Sequence, residues 1–260
     1  MIKTGRIAVI TGAAQGIGKR VAELLAEQGY SLVLNDLRSP TETLKAVRDL
    51  GAEALEVLGD VSDEGVVGEI AAAPREKWHR ADVLVNNAGI SFIAPAETLS
   101  AAQYRRVLEI NLVAPFLLAK TFGSMMLAQG AGSNRQCGLG RRTGGDRRPG
   151  GLQRLEAWAH RPDTDPRGRM GRKRCSRQRR LPGWVKTEMD ATDQAAGGYT
   201  DADIIGRTPM GRFATPDDIA RAIVFLADPQ QSGYINGHAL AVDGGWTADG
   251  SWESLRLRHR

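Results

Sequence analysis

The feature that most constrains this chain is a glycine-rich turn placed between a short apolar run and a helical pattern. The apolar run spans 6–10, the turn reads TGAAQGIG from Thr11 to Gly18, and apolar residues recur at helical spacing over 17–28. Glycines allow such a turn to approach a pyrophosphate closely, and the N-terminus of the following helix stabilises the negative charge. A glycine triplet alone is often only a turn, but this placement predicts a dinucleotide-binding site.

Strands and helices alternate through the rest of the first 85 residues. The hydrophobic pattern predicts helices at 41–50 and 63–73 and strands at 31–34, 53–58 and 82–85. Further along, it predicts a helix over 101–129 with a kink at Pro115, a helix over 216–226 and a strand over 238–242. Alternation of this kind favours right-handed βαβ units and a parallel sheet. With 260 residues, of which 42% are hydrophobic, we expect one α/β domain over 1–260.

The composition gives little indication of secretion, membrane insertion or metal binding. The first six residues lack the apolar core of a signal peptide, and no uninterrupted apolar run approaches the roughly 20 residues needed to span a bilayer. Cys137 and Cys175 are the only cysteines, too few for a disulfide framework or a metal-ligand cluster. We therefore expect a cytoplasmic protein with no membrane partner and no metal site.

The net charge of +5 is concentrated in one segment. Residues 134–180 hold fifteen lysines and arginines against four acidic residues, a local charge of +11 that leaves −6 on the rest of the chain. The same segment shows no apolar periodicity and is rich in glycine, arginine and proline. Taken literally, it is a disordered basic insert, yet a compact domain rarely carries so long a structureless stretch in its middle.

An acidic residue follows the second predicted strand at the distance typical of dinucleotide-binding sites. Asp36 lies 18 residues after Gly18, where a carboxylate would hydrogen-bond both hydroxyls of the adenosine ribose and repel a 2′-phosphate. NAD is therefore expected rather than NADP. Two alternatives remain: Asp36 could only cap the following turn, and Arg38 nearby could offset its charge.

Three further motifs follow the glycine-rich turn in a characteristic order. NNAG occupies 86–89 after the fourth predicted strand, PGWVKT occupies 182–187, and VDGGW occupies 242–246. With the TGxxxGxG turn, these motifs make the chain resemble the classical short-chain dehydrogenase/reductase family over about 1–132 and 182–247. Each motif alone can be read as a turn or a core segment, but their order and spacing make coincidence a poor explanation.

The resemblance implies a fold, an activity and a set of site residues. The fold is a Rossmann-type doubly wound parallel sheet with strand order 3-2-1-4-5-6-7. The activity is hydride transfer between a nicotinamide cofactor and a secondary alcohol or carbonyl substrate, such as a sugar, polyol, hydroxy acid or 3-oxoacyl thioester. The residues at cofactor-contacting positions are Gly12, Gln15, Gly16, Ile17, Gly18, Asp36, Leu37, Asp60, Val61, Asn87, Ala88, Gly89, Pro182, Gly183, Val185 and Thr187.

The same resemblance implies three other features. Asn111 matches the family asparagine that supports the catalytic lysine through a water. The family's mobile substrate loop corresponds to 189–207 in this chain. Family members usually form homotetramers, so a homo-oligomer and a small-molecule substrate are the expected partners.

The family's catalytic serine, tyrosine and lysine are missing. The family places the tyrosine thirteen residues after the serine and the lysine four residues later, and the chain has no Tyr-x-x-x-Lys sequence. The corresponding positions are occupied by Leu139, Leu152 and Glu156. Without a phenol whose pKa is lowered by a neighbouring ammonium, nothing protonates the carbonyl oxygen as hydride arrives. The literal chain is therefore expected to be inactive.

A displaced reading frame accounts for the missing residues. One base of displacement from Asn134 onward permits a continuous family-like segment that returns to register at Pro182, with serine, tyrosine and lysine at 139, 152 and 156. Positions with few coding options carry this argument: Met170 followed by glycine can give only tryptophan, and Glu156 followed by alanine only lysine or arginine. The excess of arginine and glycine is typical of a displaced reading of GC-rich DNA. We therefore hypothesise a compensated frameshift over 134–180.

Two other interpretations of this segment stay open. A genuine arginine-rich insert could bind RNA or DNA, although Trp158 is its only aromatic residue for base stacking. The chain could also be an inactive relative that binds NAD and regulates a partner. If the literal residues are what folds, we expect two strands and one helix of the sheet to be missing and the chain to be molten or insoluble. On the frameshift hypothesis, no nucleic-acid partner is expected.

Overall fold

A parallel sheet of seven strands forms the centre of the chain in a computed structural model that describes residues 5–92, 97–137, 175–195 and 199–249. The strand order is β3-β2-β1-β4-β5-β6-β7, and every neighbouring pair is parallel. The predicted fold class and strand order are confirmed. The strands are β1 (Ile7–Thr11), β2 (Ser31–Asp36), β3 (Ala54–Leu58), β4 (Val83–Asn86), β5 (Gly132–Cys137), β6 (Cys175–Pro182) and β7 (Ala239–Val242).

Helices cover both faces of the sheet. Side chains alternate along each strand, so Ala8 and Ile10 of β1 pack into one buried cluster and Val9 packs into another. The first cluster lies against α1, α2 and α8, and the second lies against α3 and α5. The helices are α1 (Gly16–Glu27), α2 (Thr41–Asp49), α3 (Glu64–Trp78), α4 (Ala101–Leu108), α5 (Ala114–Gln129), α6 (Glu188–Ala195), α7 (Asp201–Arg207), α8 (Pro216–Ala227) and α9 (Pro229–Ser232).

Helix α3 is longer than its sequence pattern predicts. The expected end at 73 is wrong, because the helix continues through Pro74 to Trp78. A proline inside a helix removes one backbone hydrogen bond, but Pro74 is buried and its packing offsets that loss. The C-cap residue His79 follows, and its φ of 56° places this non-glycine residue in the left-handed region.

The predicted helix over 101–129 is divided. A π-helical turn at Glu109–Val113 separates α4 from α5. Pro115 lies in the first turn of α5, where a missing backbone N–H costs little. The irregularity therefore lies in the turn that precedes Pro115 and not at the proline, as the predicted kink had placed it.

Strands β5 and β6 are interior strands of the sheet. The prediction that the literal sequence would lack both of them is wrong: Val83 pairs with Ser133, and Gly132 pairs with Cys175. Any backbone can form a parallel ladder, so the flanking strands β4 and β7 can hold these segments extended. The helix that was expected to be missing between them lies outside the described residues.

The sequences of β5 and β6 are unusual for this location. They read GSNRQC and CSRQRRLP, whereas interior strands of parallel sheets are buried on both faces and mostly apolar. Asn134 of β5 is only 2% exposed and accepts a 3.1 Å hydrogen bond from the Nδ2 of Asn86. The Oδ1 of Asn86 and the Oγ of Ser133 are buried without a hydrogen-bond partner. These polar groups raise the free energy of the folded chain.

Residues 101–129 are long and apolar enough to cross a membrane, with a mean hydropathy of 1.4 over 18 residues. In this fold, however, Leu118, Phe122 and Met126 of the segment are buried in the second cluster. That packing is what a core helix of an α/β domain requires.

The left-handed residue after α3 gives a test of the fold. His79→Gly is expected to raise the free energy of unfolding by about 0.5–1 kcal/mol, because glycine adopts this conformation without steric cost. His79 is exposed, so the substitution removes little packing. Urea denaturation would measure the change. His79→Ala, which keeps the Cβ, should bring no gain, and equal effects of the two substitutions would contradict the argument.

Candidate functional site

The turn after β1 is packed so tightly that only glycine fits at two of its positions. Gly12 has a φ of +67°, and a Cβ placed there would lie 2.9 Å from both the Cα of Ala88 and the Nδ2 of Asn87. A Cβ at Gly18 would lie 2.0 Å from the carbonyl oxygen of Gly12. The turn therefore lies directly against the start of α1 and against the loop that follows β4.

The side chain of Asn87 joins these two loops. Its Nδ2 donates hydrogen bonds to the carbonyl oxygens of Thr11 (3.1 Å) and Gly12 (2.9 Å). In return, the Oγ1 of Thr11 accepts hydrogen bonds from the backbone N–H groups of Asn87 and Ala88, each at 3.1 Å. Because β1 and β4 are neighbours in the sheet, this arrangement fixes the carboxyl-terminal edge on which a ligand of an open α/β sheet binds.

The N-terminus of α1 is suited to an anion. The first turn of the helix contains no acidic residue, and Gln15 at the N-cap makes no side-chain capping bond. The N–H groups of this turn, in Gly16, Ile17 and Gly18, are thus not neutralised by a carboxylate of their own helix, and the helix dipole adds to their attraction for an anion. A turn held this tight by its glycines, next to such a helix start, fits the pyrophosphate of a dinucleotide.

Asp36 lies at the end of β2 beside this turn. Its Oδ2 accepts a hydrogen bond from the N–H of Ala14 (2.9 Å), and its Oδ1 accepts one from the N–H of Arg38 (3.3 Å). Asp36 therefore does cap the following turn, as one of the two alternatives for its role predicted. The carboxylate is nevertheless half-buried rather than enclosed, and Leu37 beside it is 64% exposed.

Arg38 is held away from Asp36. Its Nη2 donates a 2.9 Å hydrogen bond to the Oε1 of Gln15, and its side chain is exposed. The guanidinium therefore lies near the glycine-rich turn, where it can face a phosphate as well as an adenosine. A guanidinium at this place is compatible with NAD and with NADP.

Asp60 and Val61 follow β3. Val61 is buried at 6% exposure, and Asp60 accepts hydrogen bonds from the N–H and Oγ of Ser62 and from Arg106. Partial burial acts to raise the pKa of Asp60, but the bonds from Ser62 and Arg106 outweigh it and hold the pKa below its usual value. These two predicted cofactor-contacting residues thus follow β3 directly, and the carboxylate of Asp60 is already hydrogen-bonded to protein groups.

The segment after β6 reaches the glycine-rich turn from the other side. The N–H of Gly183, next to buried Pro182, donates a 3.0 Å hydrogen bond to the carbonyl of Val242, and Val185 forms a bridge with Ala214. Thr187 then lies against Gly16, since a Cβ at Gly16 would be 3.4 Å from the Cγ2 of Thr187. Two motifs more than 160 residues apart therefore line one crevice.

A charged cluster lies at the segment 189–207, the predicted substrate loop, and includes Lys186 just before it. Lys186 makes ion pairs with Asp201 and with Asp190, the latter at 3.1 Å. The hydrogen bond to Asp201, followed by that to Asp190, raises the pKa of Lys186. Asp190 is only 4% exposed and also accepts a 2.9 Å hydrogen bond from the hydroxyl of Tyr199. These contacts hold α6 and α7 together at the mouth of the crevice.

Asn111 lies in the π-helical turn and contacts the loop after β4. Its Nδ2 donates to the carbonyl of Ile90 (2.8 Å), and its Oδ1 accepts from the N–H of the same residue (3.0 Å). The side chain therefore fixes the backbone that follows Gly89. The other predicted catalytic positions, Leu139, Leu152 and Glu156, lie outside the described residues.

Sequence reasoning missed two side chains that support the turn. The hydroxyl of Thr11 fastens the loop after β4, and the fully buried Thr43 of α2 donates a 2.8 Å hydrogen bond from Oγ1 to the carbonyl of Ala13. A threonine on the apolar face of α2 was the available signal. Within the part of the chain that the structure describes, no group of three His, Cys, Asp or Glu residues is placed to hold a metal ion.

Comparison with known proteins agrees with this arrangement. Residues 6–133 match a family described as short chain dehydrogenase, and 181–247 match one described as enoyl-(acyl carrier protein) reductase. The chain is 35% identical to cis-4-hydroxycyclohexanecarboxylate dehydrogenase of Sinomonas cyclohexanicum, over 94% of this chain and 97% of that protein. It is 31% identical to 2-dehydro-3-deoxy-D-gluconate 5-dehydrogenase of Escherichia coli (strain K12), over 94% and 96%.

Solved structures show the same likeness. A Beutenbergia cavernae protein described as an NAD(P) dependent gluconate 5-dehydrogenase, with NADP bound at low occupancy, has a TM-score of 0.83 and 32% identity. The match covers 94% of this chain and 98% of that one. Levodione reductase has a TM-score of 0.86 and 28% identity, with 95% and 99% covered.

The tight packing at Gly18 gives a direct test of the cradle. Gly18→Ala is expected to weaken NADH binding by at least about tenfold, because the added Cβ must displace the carbonyl of Gly12. Gly68→Ala in α3 is the matched control, since a Cβ there meets nothing within 4 Å. The control should bind NADH normally and gain helix stability. Calorimetric titration would measure both, and equal affinities in the two variants would contradict the cradle.

Proposed function

The chain belongs to the short-chain dehydrogenase/reductase family, and from this premise we propose that it transfers a hydride between NAD(H) and a secondary alcohol or the corresponding carbonyl compound. Its relatives are named as dehydrogenases and reductases of hydroxyl and carbonyl substrates. The observation that carries the proposal is the bridge from Asn87 to the carbonyls of Thr11 and Gly12, because it shapes the cradle at the start of α1.

Different residues around the glycine-rich turn would bind different parts of the dinucleotide. Gly12 and Gly18 allow the turn to pack tightly beside the N-terminus of α1, where a pyrophosphate would bind, and Asp36 is placed for the adenosine ribose. Asn87 and Thr187 border the crevice from two sides. When bound, the nicotinamide supplies or accepts the hydride, and the protein supplies position and proton transfer.

NAD is proposed over NADP on electrostatic grounds. The carboxylate of Asp36 is half-buried, and a 2′-phosphate on the ribose would bring a second negative charge against it. Arg38, whose guanidinium is bonded to Gln15 near the glycine-rich turn, is a nearby group that would favour a phosphate. Two of the similar solved structures hold NADP, so this preference needs its own measurement.

The cofactor preference can be tested by removing the charge of Asp36. Asp36→Asn keeps an oxygen that can accept from the N–H of Ala14, so the turn should persist. The ratio of the Kd for NADPH to the Kd for NADH is expected to fall at least tenfold, because a charged hydrogen bond is worth about 1.5–3 kcal/mol. Arg38→Ala is the control and should leave NADH binding within about threefold. A ratio that is the same in Asp36→Asn and the parent chain would contradict the assignment.

Proton transfer is assigned to residues that the displaced reading frame supplies. Serine, tyrosine and lysine at 139, 152 and 156 would orient the substrate oxygen and exchange its proton, and Asn111 holds the loop after β4 through Ile90. The bounds of β5 and β6 support this proposal, because the displaced frame predicts apolar strands in these two places. An isoleucine at 134 would also suit a site with 2% exposure better than asparagine does.

We propose the remaining features by family resemblance. The segment 189–207, which contains most of α6 and all of α7, acts as the substrate loop over the crevice. The protein is cytoplasmic, is composed of a single domain over 1–260, and assembles as a homotetramer. The competing nucleic-acid role rests on an insert whose residues lie almost entirely outside the described ranges, and no described contact favours it.

Sequencing the gene across codons 130–184 tests the displaced frame. The expected result is a one-base change near codon 134 and a compensating change near codon 181; the absence of an insertion and a compensating deletion would refute the idea. A chain carrying the restored residues should oxidise alcohols with NAD. The same chain with phenylalanine at 152 should lose at least about 100-fold in kcat, because the general acid is removed.

A further inference from the structure

A hydrogen-bonded bridge crosses the crevice above β5. The Oγ of Ser91, in the loop after β4, lies 2.9 Å from the Oδ1 and 2.7 Å from the Oδ2 of Asp193 in α6. Strands β4 and β6 are not neighbours, because β5 lies between them. The bridge therefore spans the carboxyl-terminal end of β5, the edge at which open α/β sheets bind their ligands.

Asp193 carries a negative charge that no cation among the described residues balances. Both Asp193 and Ser91 are half-buried, and no lysine or arginine of the described residues forms an ion pair with Asp193. Its neighbour on the same helix differs in this respect, because Asp190 is paired with Lys186 and bonded by Tyr199. A serine hydroxyl does not neutralise a carboxylate, so the field of Asp193 extends into the crevice.

An exposed aromatic residue follows the bridge residue Ser91 in the chain. Phe92 follows Ser91 and is 39% exposed, so an aliphatic ring has a surface to pack against next to the carboxylate. A neutral group with an N–H or O–H can donate a hydrogen bond to Asp193, as Ser91 does. A carboxylate on the ligand can only repel it.

We propose that Asp193 is a specificity-determining residue that favours neutral hydroxy or carbonyl substrates and disfavours those that carry a carboxylate. This inference rests on the proposed function and deepens it by naming the substrate class. In this preference the chain would differ from relatives that are named for an acid substrate, such as cis-4-hydroxycyclohexanecarboxylate. The residue acts on binding and not on the chemical step, so its effect should be visible in affinity alone.

Two ligands of the same shape isolate the charge. Cis-4-hydroxycyclohexanecarboxylate and its carboxamide are each titrated by calorimetry into protein saturated with NADH, a state in which the alcohols bind but cannot react. The parent chain should bind the carboxamide at least about tenfold more tightly than the carboxylate. Asp193→Asn should bring the two affinities within about threefold, mainly by tightening the carboxylate.

Ser91→Ala is the matched control, because it breaks the bridge but leaves the charge. It should keep the preference for the carboxamide, even if both ligands bind more weakly. Equal losses for both ligands in Asp193→Asn and Ser91→Ala would show that the bridge only holds α6 in place, and the inference would be overturned. An unchanged ratio in Asp193→Asn would overturn it as well.

A different result would contradict the proposed function itself. If NADH itself does not bind, the cofactor assignment falls and the inference falls with it. If NADH binds but neither alcohol binds to the parent chain or to Asp193→Asn, only the inference is overturned. Binding of the carboxylate in preference to the carboxamide by the parent chain would have the same meaning.

Discussion

The site depends on the bridge that Asn87 makes between the loops after β1 and β4. Its amide group donates to two successive carbonyls of the glycine-rich turn, and the hydroxyl of Thr11 accepts from the loop in return. This exchange fixes the turn so closely that Gly12 and Gly18 have no room for a Cβ. The first turn of α1 has no acidic side chain of its own, and Thr187 and Glu188 border its Gly16 from the segment after β6.

The remaining contacts build outward from this bridge along the carboxyl-terminal edge of the sheet. Asp36 extends the site beyond β2, and Thr187 closes it from the segment after β6. Asn111, in the π-helical turn, binds the backbone of Ile90. The next residue along the chain, Ser91, hydrogen-bonds to Asp193 across β5. The proposed cofactor surface and the proposed substrate wall thus share one loop, so changes in that loop should affect both.

The sequence predicted the features whose signals are local. Short-range patterns were enough to predict the glycine-rich turn and most element positions. The family resemblance that these motifs carry implied the strand order. The continuation of α3 through Pro74 and the π-helical turn around Asn111 were missed, because packing overrides a local proline rule and a 3.6-residue period cannot reveal a π turn. The contact between Ser91 and Asp193 joins residues 102 apart and leaves no pattern in the sequence.

In strands β5 and β6, by contrast, the residue types are unfavourable for the positions that they occupy. Their polar sequences predicted no strand, yet both lie inside the sheet, where they leave Asn86 and Ser133 with buried, unbonded oxygens. The flanking strands account for their extended backbone, and the displaced frame that we propose accounts for their composition.

Hydrogen exchange measured with and without NADH tests the central claim most directly. If the dinucleotide lies over the turn that Asn87 fastens, saturation with NADH should slow amide exchange at 12–18 and 86–89 while leaving α9 unchanged. Binding without protection of these two loops, or protection confined to other parts of the chain, would contradict the account.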